Sequence, residues 1–252
     1  AKCCERIARR AFEAAMTRVG TLSNISASDI AVLRDEVLKI GGTTAQAPRE
    51  LAEALLVVTS TGLRGADAIA VLTSAARLST IGLGETKDIA RAVTAAVTAY
   101  GVENLSAADA ANKLFIAVQE GGAEAQSFAG VLGSVIGVAK TLGVSFDDVL
   151  ASIATFTRLG VSADMAATGL RATMMSLMTP TKQQKEGFKA LELSVEAVRD
   201  VMGRDGLAAA LELVVSRAKR MTSSSGEAAD AVGQIIPEAR ALASVLGTVG
   251  TQ

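Results

Sequence analysis

Few side chains in this 252-residue chain combine a reactive type with a spacing that could do chemistry. Asp147 and Asp148 are consecutive. On a helix they point about 100° apart, so they cannot form a paired acid–base site by themselves, and they read as charges favouring a helix N-terminus. Gly82-Leu83-Gly84-Glu85-Thr86 has the look of a phosphate-cradling loop, but no strand precedes it and no third glycine follows at the required spacing. Ser223-Ser224-Ser225 lacks an identifiable base or orienting group. The basic start, with Lys2, Arg6, Arg9 and Arg10, could touch phosphates but reads as a solvated helix face. Cys3 and Cys4 are adjacent and no other cysteine exists for either to meet, so there is no disulfide framework and the two read as incidental thiols of a reducing compartment. Histidine is absent, which removes the commonest general base and a preferred zinc ligand. No Walker sequence, HExxH, CxxC or GxSxG occurs. The expectation is therefore a protein that is not an enzyme, with no catalytic residue, no cofactor and no metal site.

What positions side chains here is a set of helices. Hydrophobic residues make up 50% of the chain and aromatics only 3%, so alanine, valine and leucine supply the apolarity. Mean hydropathy is +0.37, high for a soluble monomer. Small side chains each bury little area at about 25 cal/mol per Å², so the gain per residue is modest and closely approaching helices are favoured. Some apolar surface is expected to serve other subunits or an enclosing partner. Charge is balanced, 25 basic residues against 26 acidic, which leaves no global footprint for nucleic acid. The charged first ten residues do not form a signal peptide. The apolar run Ala125–Ala139 falls short of the roughly 20 residues a spanning helix needs, and its Gly133 and Gly137 read as a seam for tight helix packing. From the start at Ala1-Lys2 and the GTVGTQ ending, expected to be weakly structured, a processed or partly ordered piece of a longer protein is expected.

Gly62, Gly82, Gly101, Gly121, Gly143 and Gly160 recur at intervals of roughly twenty residues, each after a segment of helical period. Leu51, Leu55 and Val58 make one stripe; Ile89, Val93, Val97 and Tyr100 another; Ala111, Leu114, Phe115 and Val118 a third. Pro48 suits the first turn of a helix from Arg49. Ser106 with Asp109 and Ser145 with Asp148 are matching caps. Helices are also expected over Ala1–Val19, Ser28–Ile40, Val195–Met202, Leu207–Met221 and Glu227–Leu246, with Gly41–Ala47 a linker, the TKQQKEG stretch after Pro180 polar, and Ser223–Gly226 a flexible joint. The fold class is all-α: short antiparallel helices joined as hairpins by glycine turns, without a β-sheet. Gly84–Leu114 and Val144–Leu177 share one order of cap, helix, glycine and helix, consistent with duplication or with convergence. The expected division is 1–45, 46–180 and 181–252.

The stretch Leu142–Pro180 is the most informative. Ser145 caps a helix carrying Phe146, Val149, Leu150 and Ile153 on one face. Gly160 ends it, Ser162 caps the next, and Ala166, Gly169, Leu170, Met174 and Leu177 form a second stripe until Thr179-Pro180 stops it. Leu142, Gly143, Phe146, Leu150, Ile153, Gly160, Ala166, Gly169, Leu170 and Leu177 are the candidate packing and interaction residues.

The wording of the chain resembles the core of phage tail tape measure proteins. The resemblance lies in Arg49-Glu50-Leu51-Ala52-Glu53-Ala54, Thr59-Ser60-Thr61-Gly62, Asp88-Ile89-Ala90, Ala99-Tyr100-Gly101 and Ser106-Ala107-Ala108-Asp109. It continues in Leu142-Gly143-Val144-Ser145-Phe146, in 151–157 (ASIATFT), in Gly160-Val161, in 166–171 (AATGLR) and in the stop from Leu177 to Pro180. It covers roughly residues 46–246, and the ordered set of words carries it. The resemblance implies a virion structural protein that sets tail length during assembly and leaves the tube when DNA is delivered, located in the tail lumen or tip and in the host cytoplasm during assembly. It implies as partners the protein's own copies, tail tube proteins and tip or baseplate proteins, with transient contact to host membrane and phage DNA, and no small-molecule substrate. A low-order ring, with three copies preferred, is the expected assembly. As one helix the chain would span about 380 Å, but its regular glycines argue for a folded module that anchors the ruler. The alternative is a membrane-active helical bundle or pore former. A wall-degrading activity, carried by some members in additional domains, lacks residues here.

Overall fold

The computed structural model describes residues 2–122, 125–240 and 242–243, with the backbone alone at 2–4, 125, 126, 129 and 225. Within these residues there are thirteen α-helices, one 3-10 turn and no strand, so the all-α expectation holds. The chain divides into two compact units, 1–115 and 116–252.

The first unit holds α1 (Lys2–Ser23), α2 (Ala27–Thr43), α3 (Pro48–Ser60), α4 (Gly65–Thr80), α5 (Thr86–Tyr100) and the beginning of α6 (Ala107–Gly121). The stripe Leu51, Leu55 and Val58 is buried, as are Ile89, Val93 and Val97, because α3 lies between α1 and α5. Pro48 opens α3, where its missing N–H costs nothing. A polar knot ties the ends of α1 and α3. The Ser23 and Thr59 hydroxyls share a hydrogen bond of 2.8 Å, and Arg64 donates to the Ser23, Leu63 and Thr59 carbonyls. Ser23 and Thr59 stand at helix ends, where carbonyls lack the donor of a following turn; the Thr59 carbonyl accepts from the Gly62 N–H as well.

The second unit holds the end of α6, then α7 (Ala125–Thr141), α8 (Phe146–Arg158), α9 (Ala163–Met178), α10 (Lys182–Ala190), α11 (Val195–Asp205), α12 (Leu207–Met221), α13 (Ser225–Ile235) and a 3-10 turn, Pro237–Ala239. Its largest fully buried side chains are Phe128, Phe156, Phe188, Leu132, Ile136 and Ile153. In both units the most extensive partnerships join helices two apart in sequence, α1 with α3, α3 with α5 and α7 with α9, in addition to the hairpins between neighbours.

Several local expectations are corrected. Gly41 and Gly42 continue α2 instead of forming a linker. The polar stretch after Pro180 is a helix, α10, closed by a capping box: Thr181 Oγ1 accepts from the Gln184 N–H, and the Gln184 side chain accepts from the Thr181 N–H. Ser224 caps α13, accepting from the Glu227 N–H at 3.2 Å, so the serine run is a helix start and not a loose joint. The helix expected over Glu227–Leu246 is interrupted at Pro237, which cannot donate the bond that would continue α13; the GTVGTQ ending lies outside the described residues. The Cys3 and Cys4 side chains also lie outside them. Gly121 is not the turn residue: Gly122 takes the left-handed conformation, φ +60°. Gly121 instead permits a close approach to α8, since a Cβ there would sit 2.5 Å from Thr157 Oγ1 and 3.1 Å from the Ala154 Cα. Gly133 and Gly137 form no seam among the described residues, where a Cβ at either would meet no atom within 4 Å outside its own helix backbone.

Candidate functional site

Leu142–Pro180 folds as the hairpin expected of it, and each joint follows from a side chain already visible in the sequence. Ser145 Oγ accepts from the Asp148 N–H at 3.0 Å and donates to the Asp148 carboxylate at 2.8 Å, so the cap also fixes its acidic residue. Asp147 and Asp148 both lie in the first turn of α8, where the helix dipole favours them. At the other end Gly160 adopts φ +88°. The Gly160 N–H reaches the Thr157 carbonyl and the Val161 N–H the Phe156 carbonyl, both at 3.0 Å, a Schellman closure that needs a left-handed residue. Ser162 Oγ then accepts from the Met165 N–H at 3.3 Å, and α9 begins.

The two apolar faces are buried. Phe146, Leu150, Ile153, Ala166, Gly169, Leu170 and Leu177 all lie in the interior of the second unit; Leu142 is half-buried, and Gly143 and Gly160 are exposed turn residues. The unit is arranged around this hairpin. α7 packs on both of its helices, α12 on α8, and α11 and the Pro237 turn on α9. Gly169 sets the last of these approaches. A Cβ there would fall 2.9 Å from the Glu238 carbonyl oxygen and 2.7 Å from Leu242 Cδ1.

Sequence reasoning missed two contributions. Thr173 and Ser176 share the buried side of α9 because their hydroxyls bond backward to the Gly169 and Thr173 carbonyls, at 2.8 and 2.9 Å, hiding their polarity. Arg199 of α11 donates through Nε to the Leu177 carbonyl at 2.7 Å and through its terminal nitrogen to the Met178 carbonyl at 3.1 Å. It thereby closes the C-terminus of α9, where the dipole also favours a cation. A basic residue 22 positions from its target leaves no local signal. The capping box of α10 did leave one, in Thr181 and Gln184 three apart.

Among the described residues no group of three or more His, Cys, Asp or Glu side chains is placed so that it could hold a metal ion. Gly82 and Gly84 make the turn between α4 and α5, where Ser79 Oγ donates to the Gly84 carbonyl at 2.8 Å. What survives is helical packing within each unit, with caps and glycine turns in the order of the words at Arg49–Pro180. The sequence model for phage-related minor tail proteins matches residues 34–237. The chain belongs to that family. Over 183 residues, 73% of its length, it is 24% identical to the tape measure protein of Pneumococcus phage Dp-1. It spans about a sixth of that protein, 16%. No solved structure matches the chain. The family places it as a structural component of a phage tail.

Proposed function

We propose that this chain is a folded helical module of a tape measure protein, which holds copies of the ruler together or seats it against tail tube, tip or baseplate proteins. In this reading residues 46–180 are the packing core, flanked by helical segments 1–45 and 181–252, and the length-setting rod lies in other parts of the parent protein. The observation that supports it most is the family match over 34–237 on a chain whose glycine turns fold it back at short intervals. A rod that measures at 1.5 Å per residue must run straight; Gly160 and the buried faces of α8 and α9 hold this segment bent. No catalytic role is assigned to it.

Deleting Leu142–Pro180 in frame from the full protein tests the reading. Removal of the centre of a packed unit is expected to abolish tails or yield misassembled ones in electron micrographs. Intact tails shorter by about 58 Å, the rod length of 39 residues, would show that the segment measures.

The membrane-active alternative receives no support from a spanning element: no helix of the described residues is long and apolar enough to cross a membrane.

A further inference from the structure

The first unit has an open groove of about 930 Å³ between α2 and α4, beside the C-terminal end of α1. Its lining is mainly apolar, with Ile25, Val32, Leu33 and Ile69, and Val32 is 62% exposed. Asp29 and Glu36 stand on the α2 wall; Asp29 accepts from Ser26 Oγ at 2.7 Å and Glu36 pairs with Lys39 at 2.6 Å, solvent-side contacts that an arginine of a second copy would share. Among the described residues the one cation lining it is Arg64, turned back onto the carbonyls of Ser23, Thr59 and Leu63. The groove therefore suits an apolar helix with a basic flank.

The same unit presents such a helix. Residues 5–10 of α1 are all exposed, including Ile7 at 63%, while α1 begins to be buried only at Phe12. Ile7 stands beside Arg6 and Arg10, and no ion pair joins Arg6, Arg9 or Arg10 to a described residue. This arm cannot enter its own groove. α1 is one unbroken helix lying against the side of α2 that carries Ile30 and Arg34: a Cβ at Gly20 would sit 3.2 Å from Ile30 Cγ1, and Arg34 pairs with Glu13 at 2.9 Å. Asp29, Val32, Leu33 and Glu36 occupy a side of α2 about a third of a turn away. We infer that the exposed start of α1 docks, through Ile7 and its arginines, into the α2–α4 groove of a second copy. Donor and acceptor are different surfaces, so the contact is head-to-tail and closes into a ring or continues as a filament.

This inference rests on the self-association proposed above, and its test separates the two. Sedimentation velocity is measured over a concentration series on the wild-type chain, on the arm variant Ile7→Glu and on the groove variant Val32→Glu. Circular dichroism verifies the fold, which both variants should keep because both side chains are exposed. Each variant alone is expected to associate at least about tenfold more weakly, the loss of an apolar anchor. Mixed in equal amounts, they should form a one-to-one heterodimer, since one supplies an intact groove and the other an intact arm. Arg10→Glu should likewise weaken association, and Glu36→Arg in the same chain should restore part of it. A wild-type chain that stays monomeric throughout the series overturns both the inference and self-association. Association unchanged in both variants overturns the inference alone and leaves the groove to another partner. Two weakened variants that fail to complement show a symmetric contact and also overturn it.

Discussion

Gly169 and Gly133 are both mid-helix glycines, yet their surroundings give a substitution opposite signs. Alanine in a helix interior gains up to about 1 kcal/mol over glycine through lower backbone entropy. At Gly169 the new Cβ would lie 2.9 Å from a backbone carbonyl and 2.7 Å from a buried leucine. Overpacking of this kind costs about 1–3 kcal/mol, and the carbonyl, held in the Pro237 turn, cannot yield as a side-chain tip could. Gly169→Ala is therefore expected to lower the urea midpoint. Gly133→Ala meets open space and should raise stability by about 0.5–1 kcal/mol. The same two measurements check the packing account: a stabilising Gly169→Ala would mean that the close approach to the Pro237 turn does not exist. Sequence shows both residues as small and apolar-facing; only the neighbours distinguish a seam from an open face.

At the scale of elements, a helix needs both local signals and something to cover it. α8 has both: the Ser145 cap, the Gly160 stop and a face buried by α7, α9 and α12. Both of its ends are legible in the sequence. α10 has a strong cap but only nine residues, of which Phe188 is buried. Helices that short are marginal in isolation. Its polar composition hid it from a reading by hydrophobic period, although its capping box is written in Thr181 and Gln184. The two should answer differently to loss of a cap, worth about 1 kcal/mol. Thr181→Ala is expected to speed amide exchange over Lys182–Ala190 while leaving the global unfolding midpoint nearly unmoved, as a locally opening segment does. Hydrogen exchange followed peptide by peptide reads this directly, and slow, unaltered exchange over α10 would show that tertiary contacts and not the cap hold it. The uninterrupted helix expected after Ser223–Gly226 failed for a complementary reason. Its apolar period continues past Pro237, but the missing N–H ends the ladder whatever the period.

For the molecule as a whole, small apolar side chains have gone mainly to burial within each unit. Apart from Ile7 and Val32, the large apolar residues left exposed, among them Ile81, Ile116, Met165 and Met221, are spread over several helices. Isolated exposed residues of this kind are ordinary on protein surfaces. If the chain acts as the proposed packing module, it is expected to release no more dye from loaded vesicles than buffer does; strong leakage would revive the pore-forming alternative. The chain spans 16% of the Dp-1 tape measure protein, and in the proposed reading it anchors the ruler while other parts of the parent protein measure.

The sequence alone determined the class, the positions of most helix ends and the hairpin at Leu142–Pro180. Caps, glycine turns and the 3.6-residue period act within a few residues of chain, and those forces are local. It also carried the family, through an ordered set of words rather than any reactive group. Tertiary structure alone decided which helices meet, that α9 rather than a GxxxG pair on α7 carries the tight seam, that Arg199 closes α9 from 22 residues away, and that the start of α1 and the α2–α4 groove are both left uncovered. Each of these depends on which surfaces are brought together after the helices form, and residue spacing along one helix does not encode its partner.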